Sequence, residues 1–329
     1  METTSLDYYK TLVAKLPQLK TEIAKVIVGQ EEAIEEIMIA LLAGGHCLLE
    51  GVPGLAKTLM VKTVAETLDM DFKRIQFTPD LMPGDIIGTE MLEEDHHTGK
   101  KFFQFNKGPI FANVVLADEI NRTPPKTQAA LLEAMQEKKV TYAGNDHKLP
   151  DPFLIIATQN PIEQSGTYPL PEAQLDRFLL YIKLGYPSEK EELAVLERTT
   201  GTYTSEKSTV FSAREIKALQ DLTRQVHISP ELLSHINLLI RNSRGSTSKV
   251  PFVQKYVEWG AGTRAGQALV LSAKARAIIK GRYAVIPEDI TTLIFPIMRH
   301  RLSLHFKAEA ENINTDQVIS EIIKAIPLK

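Results

Sequence analysis

Cysteine is nearly missing from this sequence: Cys47 is the single one in 329 residues, and it lies inside an apolar run. A disulfide framework within the chain is therefore excluded. A reducing, cytoplasmic setting is expected, with Cys47 as a small buried strand residue. Long apolar stretches are missing too. None reaches the ~18 residues needed to span a bilayer, and the opening METTSLDYYK lacks the apolar core of a secretory signal. Charge of one sign is not in excess. The formal net charge is -3, so no global field draws the chain to nucleic acid or to an anionic membrane. No basic-aromatic run revives a nucleic-acid partner, and there are no repeats or low-complexity tracts. What is there, 43% hydrophobic and 24% charged residues, is the make-up of a globular chain long enough to bury its own core. At roughly 100–200 residues per domain, two domains are expected.

Up to about residue 186, strand-like and helix-like segments alternate. Ile34, Ile37, Met38, Leu41 and Leu42 have helical spacing within 30–43. His46–Glu50 reads as a short strand, then a loop, then a helix over about Lys57–Leu68, then a strand at Lys73–Thr78. Asn113–Ala117 and Phe153–Thr158 are continuous apolar runs of strand length, and Phe178–Leu184 is a further strand. Such runs fit a parallel sheet covered by helices on both faces. Two segments interrupt the alternation. Residues 79–110 hold Pro83-Gly84, Thr98-Gly99 and Gly108-Pro109 with little helical periodicity, and KFFQFNKG reads as one arm of a hairpin. Residues 140–152 place a Gly144-Asn145-Asp146 turn between extended arms. After Gly185-Tyr186-Pro187 the helix signals dominate: a capping box from Ser188 to Glu191, Ser229 before Pro230, the run RAGQALVLSAKARAIIKGR, Pro287-Glu288-Asp289, and Thr315–Ile326. The expected organisation is an α/β domain over 1–186 and an all-helical domain over 187–329.

Three motifs carry chemistry. GVPGLAKT, residues 51–58, approaches the phosphate-loop pattern G-x-x-x-x-G-K-[ST], with Ala56 in place of the second glycine. Between strand and helix, such a loop wraps backbone N–H groups around phosphate and feeds a helix N-terminus that favours anions. Lys57 would reach the β- and γ-phosphates, and the Thr58 hydroxyl would hold Mg²⁺. Ala56 fits provided its φ is already near-helical. NVVLADEIN ends a buried strand in Asp118-Glu119. Asp118 can hold Mg²⁺ through water, and Glu119 can polarise an attacking water; the plainer alternative is two acids ending a strand in solvent. IIATQNP delivers Asn160, whose neutral amide can hold that water or touch a γ-phosphate, or else serves as a turn residue before Pro161. All three motifs fall at carboxyl ends of strands, where open α/β sheets bind ligands. His96, His97, His300 and His305 form no convincing ligand set, so no transition metal held by the protein is expected.

With those residues in view, the chain resembles an AAA+ ATPase and, more closely, the MoxR family, through IVGQ, GVPGLAKT, VVLADEINR, ATQNP, LPEAQLDRF and GAGTRA, spanning residues 27 to 266. MoxR-type loops commonly carry Ala before the Lys. The resemblance implies a P-loop NTPase fold: a parallel-sheet AAA+ core with a C-terminal all-helical lid, and the two interruptions as the family's extra segments. It implies ATP and Mg²⁺ as cofactors. Gly51, Val52, Pro53, Gly54, Leu55, Ala56, Lys57, Thr58 and Leu59 would surround the phosphates, Ile27, Val28 and Gly29 the adenine, and Thr58 and Asp118 the metal. Glu119, Lys57 and Asn160 would act in catalysis. Arg177 resembles the arginine finger that reaches the next subunit's γ-phosphate, a type of residue whose loss costs about 10³–10⁵ in rate; its plainer reading is a surface Arg paired with Asp176. Arg264 resembles the second sensor, touching the γ-phosphate of its own subunit, against an ordinary surface charge. Phosphate loss would then release Asn160 and Arg264 and turn the lid about 185–187.

The same resemblance implies a homo-oligomer, a hexameric ring with nucleotide, acting in a chaperone-like way on protein clients, including proteins with von Willebrand A domains. Alternatives are a subunit of a metal-chelatase-type motor and a nucleotide-gated scaffold with little hydrolysis.

Overall fold

The computed structural model of the protein describes residues 6–94, 97, 101–162, 166–201 and 207–327. Two helices, α1 (Leu6–Ala24) and α2 (Glu31–Ala43), lead to β1 (Cys47–Glu50). The loop 51–56 opens α3 (Lys57–Thr67), followed by β2 (Phe72–Gln76). A short helix, α4 (Pro83–Ile87), and a hairpin of β3 (Gly88–Glu94) and β4 (Lys101–Lys107) precede β5 (Val114–Asp118). Next come α5 (Pro125–Glu137), a second hairpin of β6 (Lys139–Tyr142) and β7 (Asn145–Lys148), β8 (Leu154–Gln159), the one-turn α6 (Glu172–Leu175) and β9 (Leu180–Lys183). The remainder holds α7 (Glu189–Thr200), α8 (Ala213–Gln225), α9 (Pro230–Asn242), α10 (Pro251–Tyr256), β10 (Val257–Trp259), α11 (Thr263–Ile279), α12 (Pro287–Met298), β11 (Ser303–Leu304), α13 (Phe306–Ala310) and α14 (Thr315–Ala325).

The sheet order is β2-β5-β8-β1-β9, parallel throughout. The central strands β5 and β8 read as nearly unbroken apolar runs because both faces are covered, whereas the edge strand β2 carries the exposed Lys73 and Arg74. Leu49, Leu116, Ile156 and Ile182 point into a core shared with α1, α2 and α3, whereas Leu48, Val115, Ile155 and Phe178 point into one shared with α4 and α5. At roughly 1.5–3 kcal/mol per fully buried large aliphatic side chain, these layers dominate stability. The first core does not stop at residue 186. It runs on through Leu219, Leu269, Ile278, Leu293 and Ile319 of the C-terminal helices, with α2 sandwiched between sheet and α11. Charge reinforces the join: Glu35 on α2 accepts from Lys20 and Lys280 at 2.8 Å each and faces Arg276 Nε at 3.6 Å.

Several local expectations needed correction. The turn of the second hairpin is Ala143-Gly144, both at positive φ, and Asn145 and Asp146 already belong to β7. The interruption before β5 contains a helix as well as its hairpin; Thr98-Gly99 lie outside the described residues, as does His96. Among the described residues the C-terminal part is helical except for the small antiparallel β10–β11 ribbon and an isolated bridge between His227 and Ala284. Among the described residues no helix is long and apolar enough to cross a membrane.

Candidate active site at the carboxyl edge of the sheet

Strand register brings the motifs together. Glu50 lies opposite Gln159, Ala117 opposite Ala157, and Gln76 opposite Asp118. The loop after Glu50, the pair Asp118-Glu119 and Asn160 therefore emerge side by side at one edge. Within the loop, Gly54 sits at φ +88°, a conformation glycine adopts at no steric cost. A Cβ on Gly51 would come 2.9 Å from that of Leu184. Ala56 does not take the near-helical φ expected of it: it is left-handed, φ 54° and ψ 27°. The methyl group tolerates this at roughly 1–2 kcal/mol. That turn lets α3 start with no side chain capping its first N–H groups. The Lys57 ammonium folds back to donate to Gly51 O at 2.5 Å. An uncapped helix start, a folded-back lysine and a hydroxyl at Thr58 fit a triphosphate with its cation. Val52, Pro53 and Leu55 complete the loop, with Leu55 buried, while Leu59 in the first turn of α3 is exposed.

Asp118 is 7% exposed, and both its oxygens are engaged. Oδ1 accepts from the Thr158 hydroxyl at 2.6 Å. Oδ2 accepts from Arg74 Nε at 3.0 Å and from its terminal nitrogen at 2.6 Å. A guanidinium thus supplies the positive charge that a divalent cation would bring to the same carboxylate. The Glu119 carboxylate accepts from Gln76 Nε2 at 2.9 Å and Arg122 at 3.0 Å, and its backbone N–H donates to Thr158 at 2.9 Å. These acids do not simply end a strand in solvent. Arg74 and Gln76 were not anticipated, although their two-residue spacing on β2 already puts them on one face. Asn160 is 6% exposed, and its Oδ1 accepts from the Ile162 N–H at 3.2 Å, so the oxygen closes a turn.

Ile27 is buried in the main core, and it and Gly29 line a cavity of about 260 Å³ between α1 and α2; Val28 is half-buried. Gln30 ties this segment to the 185–187 turn by donating to Gly185 O at 3.0 Å.

The remaining two candidates lie elsewhere. Arg177 precedes β9, at the amino edge of the sheet, and donates to Leu132 O of α5 at 3.0 Å. Its plainer reading as Asp176's partner does not hold, because Asp176 accepts from Arg301 at 2.7 Å and faces Arg264 at 3.4 Å. Arg264 is therefore not beside Lys57, as expected of a sensor touching its own phosphate. The α11 start packs along α2 toward Gly44, the amino end of β1, so Arg264 joins Arg177 in a cavity of about 300 Å³ that Lys138 also lines.

Comparison with known proteins agrees with this fold. Residues 46–180 match the family model "ATPase family associated with various cellular activities (AAA)", and residues 252–322 the AAA lid domain. The chain is 41% identical to Chaperone MoxR1 of Mycobacterium tuberculosis, over 93% of this chain and 80% of that one. It is also 41% identical to the uncharacterised YeaC of Bacillus subtilis, over 97% and 96%. Among solved structures, a candidate ATPase from Cytophaga hutchinsonii superposes with a TM-score of 0.91 at 42% identity, covering 100% of this chain and 99% of that one. With 41% identity to MoxR1 over most of the chain, and matches to the AAA ATPase and AAA lid models, the chain belongs to the MoxR family of AAA+ ATPases.

Proposed function

We propose that the protein is an ATP-hydrolysing remodelling motor that works as a ring, hexameric in its nucleotide-bound form, on protein clients in the cytoplasm. In this reading residues 1–186 form the nucleotide-binding domain, with insertions near 79–110 and 140–152, and 187–329 the helical lid. Lys57 and the loop amides hold the phosphates of ATP. Thr58 and Asp118 hold Mg²⁺, Glu119 orients and deprotonates the attacking water, and Asn160 steadies it.

One observation carries the reading: the polar residues are divided between two edges of one sheet. Lys57, Asp118, Glu119 and Asn160 lie at the carboxyl edge, and Arg177 and Arg264 at the amino edge. β1, four residues long, alone separates these edges by roughly 13 Å at ~3.3 Å per residue. The two arginines therefore serve a second protomer's nucleotide, which makes the ring part of the chemistry. Arg264 acts on the neighbour in this reading, not on its own chain. Charge supplied to the γ-phosphate in this way stabilises the phosphoryl-transfer transition state. The client class is drawn from the name of the M. tuberculosis relative, a chaperone, and from the family resemblance, which points to von Willebrand A domain proteins.

The test compares steady-state hydrolysis by the wild type and Glu119→Gln, with particle mass followed by light scattering. The variant should bind nucleotide and assemble, yet hydrolyse about 10²–10⁴-fold more slowly. Equal rates for the two proteins would leave a nucleotide-gated scaffold.

A further inference from the structure

The segment that carries Arg177 is held in an unusual way. Arg301, just past the end of α12, has a buried side chain, 4% exposed. Its guanidinium spends its donors on this segment and on its own helix end. Nε donates to Asp176 Oδ1 at 2.7 Å. One terminal nitrogen donates to Leu179 O at 3.2 Å and Ile297 O at 2.5 Å, the other to Asp176 O at 3.3 Å and Phe178 O at 2.6 Å. The two flanking residues add to the clasp. His300 Nε2 meets Phe178 O at 3.1 Å, and Arg299 donates to Tyr181 O at 3.1 Å. Burial and the neighbouring Arg301 hold His300 well below its usual range. It is therefore neutral, with Nε2 as the donor to Phe178.

These contacts fall on both sides of Arg177 and none falls on Arg177 itself. Backbone carbonyls at 176, 178 and 179 are fixed, Phe178 is fully buried, and Arg177 is left exposed between them. The planar fork of an arginine is suited to this multiple carbonyl grip, and a lysine could not reproduce it. The clasp also comes from the C-terminal helices, whereas the segment it grips enters the central sheet.

We propose that Arg301 is the positioning residue for Arg177, fixing the finger segment to the C-terminal helices so that hydrolysis in the neighbouring protomer's site follows where those helices stand. The inference rests on the reading of Arg177 as a finger acting between protomers. A misplacement of about 1 Å in a positioned group can cost ~10²-fold in rate. The expected effect is therefore on turnover and not on nucleotide binding.

Mixed assemblies test it. Arg301→Ala should hydrolyse ATP about 10²-fold more slowly than the wild type, with affinity for a fluorescent ATP analogue unchanged within about 2-fold. Adding Lys57→Ala protomers, which cannot hydrolyse but carry a correctly held Arg177, should restore a measurable part of the rate. Adding Arg177→Ala protomers should restore none. Asp176→Asn, nearly isosteric, covers the case in which Arg301→Ala does not fold; it should lower turnover about 10-fold with the same pattern of rescue. Hydrolysis by Arg301→Ala or Asp176→Asn within about 2-fold of the wild type would overturn the proposal, as would slow hydrolysis that Lys57→Ala cannot rescue. If Arg177→Ala alone hydrolyses normally, the finger reading fails, and the role given to Arg301 falls with it. An impaired Arg177→Ala beside an unimpaired folded Arg301→Ala sinks the positioning role alone.

Discussion

Ala56 sits at a backbone angle that its residue type does not favour. Alanine stands where the loop pattern has glycine, and it still takes φ 54°. The loop geometry therefore overrides the residue's preference and stores strain of roughly 1–2 kcal/mol. Replacing Ala56 with glycine removes that strain but gives the unfolded chain more freedom, worth roughly 0.4–1 kcal/mol in the opposite direction. The net expectation is a small gain: Ala56→Gly should melt about 1–2 °C above the wild type and bind ATP with unchanged affinity. Differential scanning fluorimetry with and without Mg-ATP checks this, and a lower melting temperature would contradict the strain argument. That the 51–58 loop meets Asp118 and Glu119 at one sheet edge was legible because strand, turn and acid pair are contiguous in the chain. Arg74, Gln76 and Arg301 were not. The first two meet Asp118 and Glu119 only through strand register, and Arg301 meets Asp176 across 125 positions of sequence.

Among the elements, α2 carries a heavy load of buried charge. It is buried between the sheet and α11, yet carries Glu31, Glu32, Glu35 and Glu36. Glu35 is neutralised by its lysines and Arg276. Glu36 is 9% exposed, and burial, followed by the charge of Glu32, pushes its carboxyl up to about 8. Between the ordinary carboxylate pKa and 8, the folded chain holds a proton at Glu36 that the unfolded chain has released. Unfolding therefore sheds a proton, and stability falls as pH rises through this window. The loss attributable to Glu36 is on the order of 2–4 kcal/mol by pH 8. Glu36→Gln should remove it. Urea unfolding at pH 6, 7, 8 and 9 should give a flatter stability profile for the variant and a higher midpoint at pH 8; parallel profiles would show that Glu36 does not carry this slope. The helix itself was legible from its apolar spacing, as were β5 and β8, whose two buried faces leave nearly unbroken apolar runs. The second hairpin was displaced by one or two residues because Ala143, with no sequence preference for positive φ, shares the turn with Gly144.

At the scale of the molecule, the separation of nucleotide domain and lid proposed from sequence meets a core that crosses it. Leu41 and Ile37 of α2 belong to the same buried cluster as Leu219, Leu269 and Ile278. The Glu35 contacts and the Arg301 clasp join the two parts at separate points. A surface this apolar and continuous makes independent unfolding of either part costly, since each would expose the other's core face to water. The chain should therefore unfold in one cooperative transition. Trp259, the only tryptophan in the sequence, lies in the β10 ribbon of the C-terminal part and reports on it. Its fluorescence and the far-ultraviolet circular dichroism of the whole chain should give the same urea midpoint. Saturating Mg-ATP should move both midpoints upward together, by about 2.7 kcal/mol at a hundred times the Kd. If the nucleotide shifts the circular dichroism and leaves the tryptophan transition in place, the two parts unfold separately. The lid would then be free to swing about 185–187 without disturbing α2.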